Sequence, residues 1–327
     1  MRQMRLWMSI AILVVIVLAV GCETIPGKAS PSSVDDQRFV TIATGGATGP
    51  YDTIGAALAK VYKNQLGYNA TVRPTDGSVE NVKLLESKKA DLAFAMSDVA
   101  SFALMGQEDF KINGPNQNIK AVAGLYLNYV QIVTLGESHI QSVFDLKGKR
   151  VGVGAPNSGV ELNARMILEG HGITYNDLKA EYLSYAEAIE QLKNNSIDAA
   201  FVTSGLPNPA VLDLQRSKKV EIVPIQPTDI IQLTQRFPFF EKAELPVGVY
   251  QNKRPVPTVA IRNILLVRSD LSDGQVYKLT KTFFENLKLL QDAHEAANQI
   301  ARKDAGKDLV VPLHPGAKKY YDETSDE

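Results

Sequence analysis

The 327-residue chain has a single cysteine, Cys22, so no intramolecular disulfide can form. Its four histidines, His139, His171, His294 and His314, are scattered without metal-ligand spacing, and His171, set between two glycines, reads as a helix C-terminal residue. There is no G-x-x-x-x-G-K-[ST] phosphate loop. Gly152-Val153-Gly154 lacks the third glycine of a dinucleotide fingerprint, and no G-x-S-x-G elbow occurs. No spacing of acids and bases marks a catalytic cluster. Charge of one sign is also missing: the formal net charge of −1 becomes −3 once the first 21 residues, with Arg2 and Arg5, are set aside. That balance argues against nucleic acid as a partner. These absences favour binding without chemistry, with no metal and no cofactor.

The N-terminus points to a compartment. Arg2 and Arg5 precede an apolar run from Leu6 to Val20, broken only by Ser9, which is too short and too unevenly flanked for a comfortable membrane span. We expect a signal peptide over residues 1–21. Leu18-Ala19-Val20-Gly21-Cys22 resembles a bacterial lipobox, in which Cys22 is lipidated and becomes the new N-terminus. Residues 22–37, rich in Ser, Pro and Gly, would then be a flexible linker holding the protein to the outer side of the cytoplasmic membrane or in the periplasm. An uncleaved signal anchor is the alternative.

Two segments 107 positions apart echo each other. LESKKADLAFAMSD (85–98) and LKNNSIDAAFVTSG (192–205) align without a gap and share Leu85/Leu192, Asp91/Asp198, Ala93/Ala200, Phe94/Phe201 and Ser97/Ser204. At a similar offset TGGATGPYDTIG (44–55) matches VGVGAPNSGVEL (151–162). Val40–Ala43, Leu92–Met96, Val151–Val153 and Ile197–Val202 are apolar runs closed by small or turn-forming residues, as expected of strands buried on both faces in parallel α/β sheets. Ligands of such sheets sit beyond the strands' carboxyl ends. The alternative is four ordinary βα turns of one larger sheet. The candidate ligand loops are Thr44-Gly45-Gly46 with Tyr51, Ser97-Asp98, Asn157-Ser158-Gly159 and the stretch from Thr203 to Gly205. Pro50 suits a first helical position, and Tyr51, Ile54, Leu58 and Val61 form the apolar stripe of a helix whose N-terminus could receive a carboxylate. Ser158-Gly-Val-Glu161 matches a capping box. Simple capping is one reading of Glu161, contact with a ligand another. Arg165, two turns beyond Ser158, either approaches the cleft or pairs with a structural carboxylate.

TGGATGPYDTIGAAL, DGSVENVKLL, ADLAFAMSDVA, LKGKRVGVGAPNSGVELNAR, IDAAFVTSGLPNPAV, VPTVAIRNILLV and PLHPGAKKYYDE together resemble the TAXI family, solute receptors of tripartite ATP-independent periplasmic (TRAP) transporters. The resemblance spans Phe39 to Glu323. It implies an α/β, two-lobed type II periplasmic-binding-protein fold, each lobe a mainly parallel sheet flanked by helices, joined by crossing hinge strands. It also implies a small carboxylate solute (glutamate, glutamine, or a C4–C5 dicarboxylate or 2-oxo acid) and TRAP membrane permease subunits as partners. The receptor would be monomeric, would bind by hinge closure and would not be an enzyme. Solute-facing positions by resemblance are Thr44, Gly45, Gly46, Tyr51, Ser78, Ser97, Asp98, Ser158, Gly205 and Pro207, with Tyr126 a further candidate. Related proteins often have Gln where Met96 stands and Thr where Val160 stands. The apolar stretches 121–135 and 259–267 read as the crossing strands, which puts lobe 1 at 38–127 plus 266–327 and lobe 2 at 128–265. A helical pattern over 276–290 would pack back on lobe 1. A receptor for an ABC importer or sensor kinase is the nearest rival, and an enzyme on the same fold is a more distant one.

Overall fold

The apolar runs become strands because each is shielded on both faces and closed by a residue that turns the chain. A computed structural model describes residues 38–324, so the export segment, Cys22 and the linker lie outside the described residues. In chain order the strands are β1 (Phe39–Ala43), β2 (Asn69–Arg73), β3 (Leu92–Met96), β4 (Ile119–Leu135), β5 (Arg150–Gly152), β6 (Lys179–Glu181), β7 (Ala199–Ser204), β8 (Val220–Val223), β9 (Phe240–Leu245) and β10 (Val256–Arg268). The helices that matter below are α1 (Pro50–Leu66), α2 (Ser78–Glu86), α3 (Ser97–Met105), α4 (Gly159–Gly170), α5 (Tyr185–Lys193), α6 (Pro209–Gln215), α7 (Pro227–Arg236) and α8 (Asp273–Glu285).

The strands follow the order β2-β1-β3-β10-β4-β7-β5-β6, with β8 beside β4 and β9 beside β10. The triplets β2-β1-β3 and β7-β5-β6 are parallel. Between them β4 and β10 run antiparallel to each other and to their outer neighbours β7 and β3. Both stretches expected to be long strands are therefore long strands, and both pass through the two halves of the sheet. β4 pairs with β10 over residues 119–129 and with β7 over 129–134. The architecture is mixed α/β with a central sheet flanked by helices, and the echo is its plan: β1-α1-β2-α2-β3 in one half and β5-α4-β6-α5-β7 in the other.

The shared residues of the echo do the same work twice. Asp91 accepts a hydrogen bond from the Thr41 backbone N–H at 2.8 Å and donates its own N–H to Thr41 O at 2.8 Å. Asp198 does the same to Arg150, again at 2.8 Å in each direction. Each carboxylate thus ties the start of the third strand of its half to the middle or start of the first. Cations complete the arrangement, Arg268 beside Asp91 and Arg150 beside Asp198. Leu85, Leu192, Phe94 and Phe201 are buried in the core.

In α1 the expected stripe of Ile54, Leu58 and Val61 is buried, and α8 packs against α1. The helical pattern expected over 276–290 is interrupted at Asn286, whose backbone leaves helical geometry and whose side-chain amide donates to Thr282 O at 2.9 Å. A side chain that bonds the preceding turn competes with continuation of the helix.

Loss of either repeated aspartate removes a charged acceptor from a strand N–H. Asp91→Ala and Asp198→Ala should each lower stability by about 2 kcal/mol, read from urea unfolding. An unchanged midpoint in both would mean that these bonds do not hold the strands.

Candidate functional site

The two parallel triplets deliver the loops after β1, β2, β5 and β6, and the last residues of β3 and β7, to one cavity of about 110 Å³. An apolar cavity of about 150 Å³ can hold benzene, so the space is on the scale of a small solute. Four helix starts border it. Gly49, Gly77, Ser158 and Ser184 are the N-caps of α1, α2, α4 and α5, and all four line the cavity. Each start presents N–H groups without partners inside its own helix, and the positive end of its dipole. Thr203 and Ser204 at the end of β7, Met96 at the end of β3 and Asn128 of β4 complete the wall.

The starts of α2 and α4 touch across the cavity. Glu80 N–H donates to Asn157 O at 3.1 Å, and Lys83 Nζ donates to Asn157 Oδ1 at 2.9 Å. Asn157 takes a left-handed backbone conformation, φ 56°, to make both contacts. Gly159 packs closely there: a Cβ would lie 2.2 Å from Met96 Cε and 3.2 Å from Ser78 Oγ, so the end of the Met96 side chain would have to shift to admit one.

Of the residues the sequence points to, the cavity brings together Gly45, Gly46, Tyr51, Ser78, Ser158 and Gly159. Ser78 Oγ accepts from Met96 N–H at 3.1 Å. The Tyr51 hydroxyl donates to Asn263 Oδ1, and burial raises its pKa well above the ordinary phenol value. Thr44 is next to the cavity but outside its lining. It is fully buried and bonded to Asp52 and Arg73, while Asn81 Nδ2 spans Thr44 O and Phe94 O at 2.6 and 2.7 Å.

Other expected positions serve the framework. Ser97 and Asp98 open α3 rather than forming a loop, and Ser97 faces a separate recess beside Phe239 and Arg262. Gly205 packs, since a Cβ would lie 2.7 Å from Ala296 Cβ and 2.9 Å from the Tyr126 ring. Pro207 follows a cis peptide bond and lies outside the lining, as does Tyr126, which is buried with an unpartnered hydroxyl. Arg165 is bound by acids, with Glu108 at 2.9 Å and Glu161 at 3.4 Å. The capping box at Ser158 is half formed. Ser158 Oγ accepts from Glu161 N–H at 3.1 Å, but the Glu161 carboxylate is drawn to Arg165 and to the Tyr175 hydroxyl at 2.8 Å instead of returning to the cap.

Thr75, Asp76, Leu183, Ser184 and Tyr185 line the cavity without having been singled out from the sequence. For Ser184 a signal was present: Ser184-x-x-Glu187 has the same spacing as Ser158-x-x-Glu161, and here both halves of the box form. Tyr185 donates to Thr203 O at 2.6 Å. Among the described residues Asp76 is the one charged residue of the lining, and partial burial together with Glu80 and Glu187 raises its pKa. Among the described residues no group of His, Cys, Asp and Glu could hold a metal ion, and no helix is long and apolar enough to cross a membrane.

A family model for the NMT1-like family matches residues 42–324. The chain belongs to the NMT1-like family. Its fold is that of periplasmic solute-binding proteins. MatC from Rhodopseudomonas palustris, solved with bound malate, is 13% identical with a TM-score of 0.59, covering 89% of this chain and 99% of that one. PhnD1 from Prochlorococcus marinus, in complex with methylphosphonate, is 13% identical with a TM-score of 0.55, covering 89% and 100%. The periplasmic binding protein BugD is 14% identical with a TM-score of 0.56, covering 89% and 96%.

In this NMT1-like chain the two halves also meet behind the cavity. Asp98 on α3 is fully buried and accepts from Asn163 Nδ2 of α4 at 2.6 Å and from Val99 N–H at 2.7 Å. Burial outweighs these bonds and pushes its carboxyl up to about 7 from an ordinary 3.8. The folded protein therefore holds a proton there that the unfolded chain releases between pH about 4 and about 7, so this group makes stability fall as pH rises through that window, by on the order of 4 kcal/mol, and level off above it. Asp98→Asn should raise the urea midpoint relative to the parent by a margin that grows from pH 4 to pH 7. A margin that does not change with pH would contradict the buried, protonatable carboxyl.

Proposed function

We propose that this chain is the extracytoplasmic receptor of a solute transporter, binding a small carboxylate-bearing solute in the cavity between its two halves. The observation that carries the reading is the meeting of four helix starts around one cavity. Backbone N–H groups and aligned peptide dipoles there offer an anionic group hydrogen bonds with no side-chain cation. The fold supports a binding protein, and the TAXI-like motifs of the sequence favour TRAP permease subunits as the partner, with lipidation at Cys22 as the tether.

The lobes of this receptor are residues 38–127 plus 266–327 and residues 128–265, and they turn about β4 and β10. A solute bound to the α1 and α2 starts in the open form gains the α4 and α5 starts on closure, and that extra interaction selects the closed form. Contacts between Asn157 and α2 and between Asp98 and Asn163 would form in the same movement. A micromolar affinity, about −8 kcal/mol, is within reach of a few charge-assisted hydrogen bonds and apolar contact once the cost of closure is met.

A thermal-shift screen of amino acids, 2-oxo acids and dicarboxylates should find a stabilising solute, since saturation at 100 times Kd contributes about 2.7 kcal/mol. Ser158→Ala should weaken that solute about tenfold in calorimetry without unfolding the protein. An unchanged affinity would remove Ser158 from the site, and no shift with any carboxylate would sink the carboxylate reading.

A further inference from the structure

Three features of the cavity, taken together, restrict its solute beyond the carboxylate reading on which this inference rests. The first is charge. Among the described residues no Lys, Arg or His lines the cavity, and the only charged side chain that does is the acid Asp76. Each of the four converging helices also carries an acid in its own first turn, Asp52 in α1, Glu80 in α2, Glu161 in α4 and Glu187 in α5. These acids oppose the positive ends of the helices. One anionic group can be held by N–H donors in such a field, whereas a second buried carboxylate would lack a counter-charge and be costly.

The second feature is a free hydroxyl. Thr203 lines the cavity from the end of β7, is 1% exposed, and its Oγ1 has no hydrogen-bond partner. A buried hydroxyl left unpaired is unfavourable, and a polar uncharged group of a guest would satisfy it. The third is the wall, where Met96 and Val160 both line the cavity and give it apolar surface.

We propose that the solute carries one negative charge and an uncharged hydrogen-bonding tail, and that Thr203 Oγ1 receives that tail. Helix starts hold the anionic end. Thr203 then discriminates between an amide, keto or hydroxyl tail and a second carboxylate, because the site provides for the former a partner and for the latter no cation.

Calorimetry with two matched pairs, succinamate against succinate and glutaramate against glutarate, tests this directly, since each pair differs by an amide in place of a carboxylate. At least one monoamide should bind ten times more tightly than its diacid. Thr203→Val should lower monoamide affinity about tenfold and erase the preference with an unchanged urea midpoint, and Thr203→Ser should retain it. A diacid that binds as well as or better than its monoamide overturns the inference and leaves the carboxylate receptor standing. Binding of none of the four overturns it as well, and the broader carboxylate screen then decides the reading beneath it.

Discussion

Everything at the cavity depends on two long antiparallel strands that belong to both halves of the sheet. Because β4 and β10 run through the middle, each half can hang a parallel triplet on one side of the pair. A parallel strand must be followed by a crossover, here a helix, so each triplet places helix starts beyond its carboxyl ends. Asp91 and Asp198 lock the first and third strands of each triplet together through the same pair of backbone bonds. The cavity is the consequence of doing this twice around one shared pair.

Electrostatics then shapes what the cavity can do. Four helix starts would make a strongly anion-seeking site if nothing opposed them, but each carries a first-turn acid and no cationic side chain is added. In the proposed receptor, recognition would fall to the backbone N–H groups, which are directional and fixed in place, more than to net charge. The two halves are also joined directly, by Asn157 with Glu80 and Lys83 and by Asp98 with Asn163. Such contacts would bias a hinge toward closure.

Much of this plan was legible in the sequence, because parallel strands buried on both faces leave continuous apolar runs and their loops leave clusters of small residues. Thus the four strands, both long crossing strands and the loops at Gly45-Gly46 and Ser158-Gly159 could be read in advance. What could not be read was which polar residue at a strand end faces the cavity. Ser97 and Asp98 sit at the start of α3, and helix geometry turns them to a recess and to α4, whereas Ser204, their counterpart in the echo, lines the cavity. Arg165 was open between two roles until Glu108 and Glu161, brought beside it by tertiary folding, decided it. Gly205 and Pro207 follow the ligand-like motif, but Gly205 packs against Ala296 and Tyr126 and neither residue lines the cavity. Ser184 and Tyr185 lie outside the echo, at a capping signal whose Ser184 stands eight residues upstream of the aligned segment 192–205.

The central claim is that backbone N–H groups at helix starts hold the anionic end of a solute between the two halves. A crystal structure of the protein with its stabilising solute bound tests it most directly. The account predicts the solute's carboxylate oxygens about 3 Å from N–H groups at the starts of α1, α2, α4 or α5, with both halves contributing contacts. A carboxylate held by a lysine or arginine, or a solute seated on one half alone, would contradict it.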